Sequence, residues 1–240
     1  MKKHLPSIAS ILAGVIPIVI LIVYFDVPRK LIIGYGILSW IIGVGLFKMP
    51  VYHLVVVKFL HGRLSNKWLG ITQGLVSAFS ELGSALIFFH FVLTDLSLPQ
   101  LIGFGLAAGA VESVILPFIG NPFTGTPLEK HTADMEQKMS LNLSMQWMGV
   151  LERLIAMVIH IASRGLIYVS MITFSLLPGI IAVVTFAAVD GRGYYALQEK
   201  WAFDNIKVLK KFYLFLAIIA LLQSVSFLFF SYKYLHLLKF

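Results

Sequence analysis

The strongest constraint on this chain is a succession of apolar runs, each about as long as a bilayer is thick. Seven can be read, over residues 7–25, 31–47, 69–93, 101–118, 143–170, 172–196 and 212–232. A helix needs about 20 apolar residues to cross the hydrocarbon. Inside lipid every backbone N–H and C=O must find a partner within the chain, which leaves only helices and closed barrels. The short alternating segments of a barrel do not occur. The sequence therefore predicts an all-α fold, a polytopic membrane helix bundle of about seven transmembrane helices, with residues 1–240 as a single transmembrane domain. Composition agrees, since only 12% of residues are charged, about half the share of a soluble domain.

The opening stretch "MKKHLPSIASILAGVIPIVILIVYF" has the basic start and apolar run of a signal peptide. Its 18-residue apolar run from Ile8 is long enough to span, and another apolar segment follows at once. It reads as a retained first helix. The piece "VYHLVVVKFL" is shorter, lies between Pro50 and His61, and reads as interfacial or re-entrant. The fifth and sixth runs must be separated by a turn, and "SMITFSLLPG" is the best place for it.

Basic residues set the orientation. With the N-terminus inside, 13 of the 19 Lys and Arg residues fall in cytoplasmic segments, Lys48 among them, and 4 fall outside. The expected topology is N-in and C-out, in the cell membrane. The formal charge of +8 then marks topology and lipid contact, not nucleic acid. Without cysteine the chain has no disulfide and no thiolate ligand or nucleophile.

Ionisable residues inside spans are costly and point to function. The third span carries Glu81, with Gln73, Ser77, Ser80 and Ser84 at helical spacing. The fourth carries Glu112 after a Gly105–Gly109 pair suited to close helix approach. The fifth, "GVLERLIAMVIH", carries Glu152, Arg153 and His160, and its Arg153, Met157, His160 and Arg164 share a stripe. Glu152 and Arg153 are adjacent, so they are expected to diverge by about 100° and not to pair. The sixth carries Asp190. Four successive helices thus bring an acid to a similar depth, and a polar cavity open to the cytoplasm is the economical explanation. Plainer readings stand beside this one. Arg153 with Glu81 or Glu112 is a common kind of structural pair. Asp190 suits a turn with Gly191. His90 and His160 suit packing, and Arg164 suits snorkelling to the outer boundary.

The order "SELGSALIFFHF", "GFGLAAGAVESVI", "GVLERLIAMVIHIA", "FAAVDG" resembles the YhfC-type family of intramembrane peptidases, distant relatives of the CAAX-protease and bacteriocin-processing enzymes. The likeness covers residues 69–195 or so. It implies a multi-helix fold in which acidic and histidine groups activate water for peptide hydrolysis. It also implies that Glu81, Glu112, Glu152, Arg153 and Asp190 are retained motif positions. Ser80, Ser84, Ala108 and Phe186 depart from the pattern, and the last two replace both motif histidines. Neither replacement can bind a metal, donate to an oxyanion or shuttle a proton.

The resemblance therefore implies a degenerate member that binds a membrane peptide or lipid-linked ligand in a cytoplasm-facing cavity, with no cofactor and no metal. One alternative is an active glutamic-type peptidase, with Glu81 and His160 as catalytic candidates. Another is a small transport permease partnered with a separate ATPase, since the chain has no nucleotide-binding loop of its own. The lipid bilayer is the one partner that the apolar runs require.

Overall fold

The computed structural model describes residues 5–24, 30–115, 118, 123–126, 128–140 and 142–235. Eight helices and no strand occur among the described residues: α1 (Leu5–Tyr24), α2 (30–60), α3 (Asn66–Phe91), α4 (Leu98–Ile115), α5 (Glu129–Ser140), α6 (Leu143–Thr173), α7 (Leu176–Gln198) and α8 (Ile206–Leu235). Six of them, α2, α3, α4, α6, α7 and α8, are long and apolar enough to cross a membrane. The apolar part of α1, Ile8–Val23, is shorter. The chain is an all-α integral membrane bundle. Of the residues used for orientation, Lys2, Lys3, Arg29 and Lys239 lie outside the described residues, as do Phe25, the expected end of the first span, and Gly120.

Helix α2 corrects the sequence reading. It runs as α-helix over Lys30–Ile41, π-helix over Ile42–Lys48, α-helix over Met49–Val51 and π-helix again over Tyr52–Leu60. "VYHLVVVKFL" is thus the last part of a continuous helix and not a separate re-entrant or interfacial piece. Pro50 has no N–H to give and would end a regular helix. Here the helical path on either side of it widens to the π form, and the chain continues.

The break between the fifth and sixth runs falls inside "SMITFSLLPG". Thr173 is the last residue of α6, Phe174 is left-handed at φ 53°, and α7 starts at Leu176. At its other end, α6 is capped by Asn142, whose side chain accepts from the Ser144 and Met145 N–H groups at 3.0 and 3.4 Å.

Three connections gather at one end of the bundle. Asn66 at the start of α3 donates to Glu199 at the end of α7 at 2.9 Å. Lys138 of α5 pairs with Asp204 of the α7–α8 connection at 3.0 Å. At the opposite end the Leu96 N–H donates to the Tyr168 hydroxyl at 2.8 Å, tying the α3–α4 connection to α6.

Small residues set how closely the helices pack, as expected where lipid offers no hydrophobic drive between them. A Cβ on Gly70 would lie 2.8 Å from the Gly191 carbonyl, and one on Gly74 would overlap the Ala187 carbonyl, so α3 and α7 touch backbone to backbone. The Gly105–Gly109 face of α4 packs on α6: Cβ atoms there would meet Ile161 Cα at 2.5 Å and Met157 Cα at 2.9 Å. Large apolar side chains such as Phe79, Phe91, Leu214 and Leu221 point outward, while Gln73, Glu81, His160 and Arg164 are buried. Polar groups inside and apolar groups outside is the arrangement that a lipid solvent selects.

Candidate functional site

The six polar residues singled out in the sequence, Glu81, Glu112, Glu152, Arg153, His160 and Asp190, all line one internal cavity system. It has two adjoining chambers. An inner one of about 140 Å³ reaches His160 and Phe186, and a wider vestibule of about 340 Å³ reaches Tyr52, Gln73, Phe123 and Tyr194. Lys48, Glu81, Glu112, Glu152 and Asp190 line both.

Helix α6 gives the direction of opening. Side-chain exposure falls from 33% at Glu152 to 14% at Arg153, 4% at His160 and 0% at Arg164. These residues span about 18 Å of helix at 1.5 Å per residue. The cavity therefore opens toward the N-terminal end of α6, the end that carries α5 and the α7–α8 connection, and closes at Arg164.

The charges form a connected set. Arg153 Nη1 donates to Glu112 Oε1 at 2.7 Å. His160 Nε2 lies 2.9 Å from Glu112 Oε2, which also accepts from Trp40 Nε1 at 3.2 Å. Lys48 Nζ bridges Glu81 Oε1 at 3.0 Å and Asp190 Oδ2 at 2.8 Å. The Ser77 hydroxyl donates to Glu81 Oε1 at 3.2 Å and contacts Asp190. Tyr213 of α8 donates to Glu152 Oε2 at 3.0 Å. Arg164 Nη2 is 3.4 Å from Glu81 Oε2. In low dielectric such pairing is what makes buried charge tolerable.

Four sequence expectations need correction. Glu152 and Arg153 do pair: their Cβ atoms diverge, but the long Arg153 side chain bends around the helix to bring Nη2 to Glu152 Oε1. Arg164 does not snorkel. It is fully buried, pairs with Glu81, and lies 6.0 Å from the Phe186 ring. It sits 21 residues into a 31-residue helix, too deep to reach an interface. Asp190 is not at a turn but well inside α7, which continues to Gln198. Lys48 is not simply a marker of the inner face. Because α2 runs on to residue 60, Lys48 lies mid-helix, and its charge meets those of Glu81 and Asp190.

Sequence reasoning therefore missed Lys48 and Arg164 as members of the site, and also Trp40 and Tyr213. A lysine two residues before Pro50 looks like the end of a span, and only the π-helical continuation moves it inside. Trp40 and Tyr213 carried no periodic signal. Ser77, noted in the sequence only for its helical spacing from Glu81, is a hydrogen-bond donor to it. His90 is exposed at the end of α3 with its ring 4.7 Å from Phe91, and it takes no part.

Glu81, Glu112 and His160 each bring one ligand-type atom to within 4.8 Å of the others. A metal would fit there poorly. Both Glu112 oxygens already accept from Arg153, His160 and Trp40, and Glu81 accepts from Lys48, Ser77 and Arg164. A cation at this point would have to displace protein cations that already neutralise the carboxylates. Phe186 presents its ring edge-on to His160 at 5.8 Å.

Fold and site together define an integral membrane protein with a charged internal cavity. No protein-family model, curated protein or solved structure matches the chain.

Proposed function

We propose that this chain is a degenerate relative of the YhfC-type intramembrane peptidases, seated in the cell membrane with its N-terminus inside. Its cavity binds a membrane peptide or lipid-linked ligand entering from the cytoplasmic side. The observation that carries this reading is the occupancy of the carboxylates: Glu112 and Glu152 accept from protein donors on both oxygens, and Asp190 accepts from Lys48 and Ser77 on one. A general base must be able to take a proton from water, and carboxylates held this way are arranged as scaffold. The location of Phe186 beside His160 supports the resemblance, because a histidine there would face the same chamber. Ala108 adds to it, lying one turn from Glu112 on the same face of α4.

The test is peptide hydrolysis by purified protein reconstituted with transmembrane peptides. No cleavage is expected above the protein-free rate. Cleavage by the native chain that is lost in Glu81→Gln contradicts the reading.

One observation favours a second reading, an active glutamic-type peptidase. Glu81 and His160 offer atoms within 4.8 Å of each other, close enough to share one water. Glu81 Oε2 has one long contact, to Arg164 at 3.4 Å. The same hydrolysis assay separates the two readings.

A further inference from the structure

Two of the cavity's acids share their cation with a second carboxylate: Lys48 serves both Asp190 and Glu81, and Arg153 serves both Glu152 and Glu112. The other partners, Arg164 on Glu81 and His160 on Glu112, reach neither Glu152 nor Asp190. The floor of the vestibule is therefore acidic, inside a bundle where charge is far more costly than in water. The more exposed acids are Glu152 at 33% and Asp190 at 29%, and both line the vestibule.

The vestibule wall has the matching character. Trp40, Tyr52, Phe123, Tyr194 and Phe212 line it, with Tyr52 edge-on to Tyr194 at 5.8 Å and to Phe123 at 6.4 Å. Aromatic walls around an acidic floor attract organic cations, because the ring faces are electron-rich. A second feature selects among cations. Gln73 lines the vestibule at 8% exposure, and its amide oxygen has no donor among the described residues. A buried acceptor left unmet costs free energy until a donor arrives.

We propose that the vestibule binds a protonated primary amine, the ammonium end of a membrane-associated ligand, with Glu152 and Asp190 as counter-charges, the aromatic wall around its stem and Gln73 accepting one of its N–H bonds. This rests on the reading of the cavity as a ligand site and names the chemistry of the ligand's polar end. A divalent metal is disfavoured by the occupied oxygens of Glu81 and Glu112, and an anion by the sign of the floor.

The experiment is calorimetric titration of the native chain in nanodiscs of zwitterionic lipid, corrected with protein-free discs, using hexylammonium, hexyltrimethylammonium and hexanoate. Hexylammonium is expected to bind one per chain, about 10-fold tighter than the quaternary probe, which has no N–H to offer Gln73. Hexanoate is expected not to bind. Glu152→Gln and Gln73→Leu should each weaken hexylammonium about 10-fold. Quaternary binding as tight as primary overturns the primary-amine assignment. Hexanoate binding as tightly as hexylammonium overturns the cationic assignment and leaves the cavity reading standing. Binding of none of the three overturns both.

Discussion

Lys48 Nζ lies 2.8 Å from Asp190 Oδ2 and 3.0 Å from Glu81 Oε1, so one ammonium on α2 ties α7 to α3. These residues are 142 and 33 positions from Lys48 in sequence. The contact joins three helices at the depth where the two chambers meet.

Removing that ammonium leaves Asp190 without a cation and Glu81 with only its 3.4 Å contact to Arg164. Breaking a buried pair from one side costs about 3–5 kcal/mol, most of it from the stranded charge. Lys48→Met should therefore lower the unfolding temperature in detergent sharply. The double change Lys48→Met with Asp190→Asn should recover part of the loss, because it strands less charge. Equal stability of Lys48→Met and the native chain would show that the ammonium is not structural.

Arg153 makes the same argument on the other side of the cavity. It holds Glu112 and Glu152 from one guanidinium. Arg153→Met should cost about 3–5 kcal/mol, and Arg153→Lys should restore little of it, since one ammonium cannot reproduce two separately directed N–H groups. Thermal unfolding of the two variants in the same detergent checks this, and full rescue by lysine would contradict it.

The α3–α7 contact depends on Gly74, where an added Cβ would overlap the Ala187 carbonyl oxygen. Backbone cannot move aside as a side chain can, so Gly74→Val should force the helices apart. Overpacking of this kind costs about 1–3 kcal/mol. Gly83 has no atom within 4 Å of its would-be Cβ, so Gly83→Ala serves as the neutral comparison. A matched loss of stability in both variants would contradict the close-packing argument.

Most of the site was legible because ionisable residues in a membrane span have few places to go. Glu81, Glu112, Glu152, Arg153, His160 and Asp190 were each marked by cost alone, and the bundle brings them to one cavity. Helical spacing also located the Gly105–Gly109 face. What sequence could not supply was reach. Whether Arg153 bends back to Glu152 depends on side-chain torsions, and whether Lys48 is inside depends on how α2 passes Pro50. Arg164 was misjudged for a related reason: its apparent depth came from the expected end of the span at residue 170, while α6 continues to Thr173 before turning. The fold class followed from hydropathy, but the first helix is the one whose apolar stretch falls short of the other six.

The central claim is that these charges form the floor of a water-filled cavity open at the α5 end of the bundle. The native chain has no cysteine, so one introduced thiol reports its surroundings without background. Gly193 lines the vestibule, and a side chain there would meet only Phe212, at 3.9 Å. Leu221 of α8 is 64% exposed on the apolar outer face. In right-side-out and inverted vesicles, Gly193→Cys should react with a charged, membrane-impermeant thiol reagent only when the cytoplasmic face is accessible, and Leu221→Cys should not react from either side. Labelling of Gly193→Cys from the outside, or from neither face, would contradict the account.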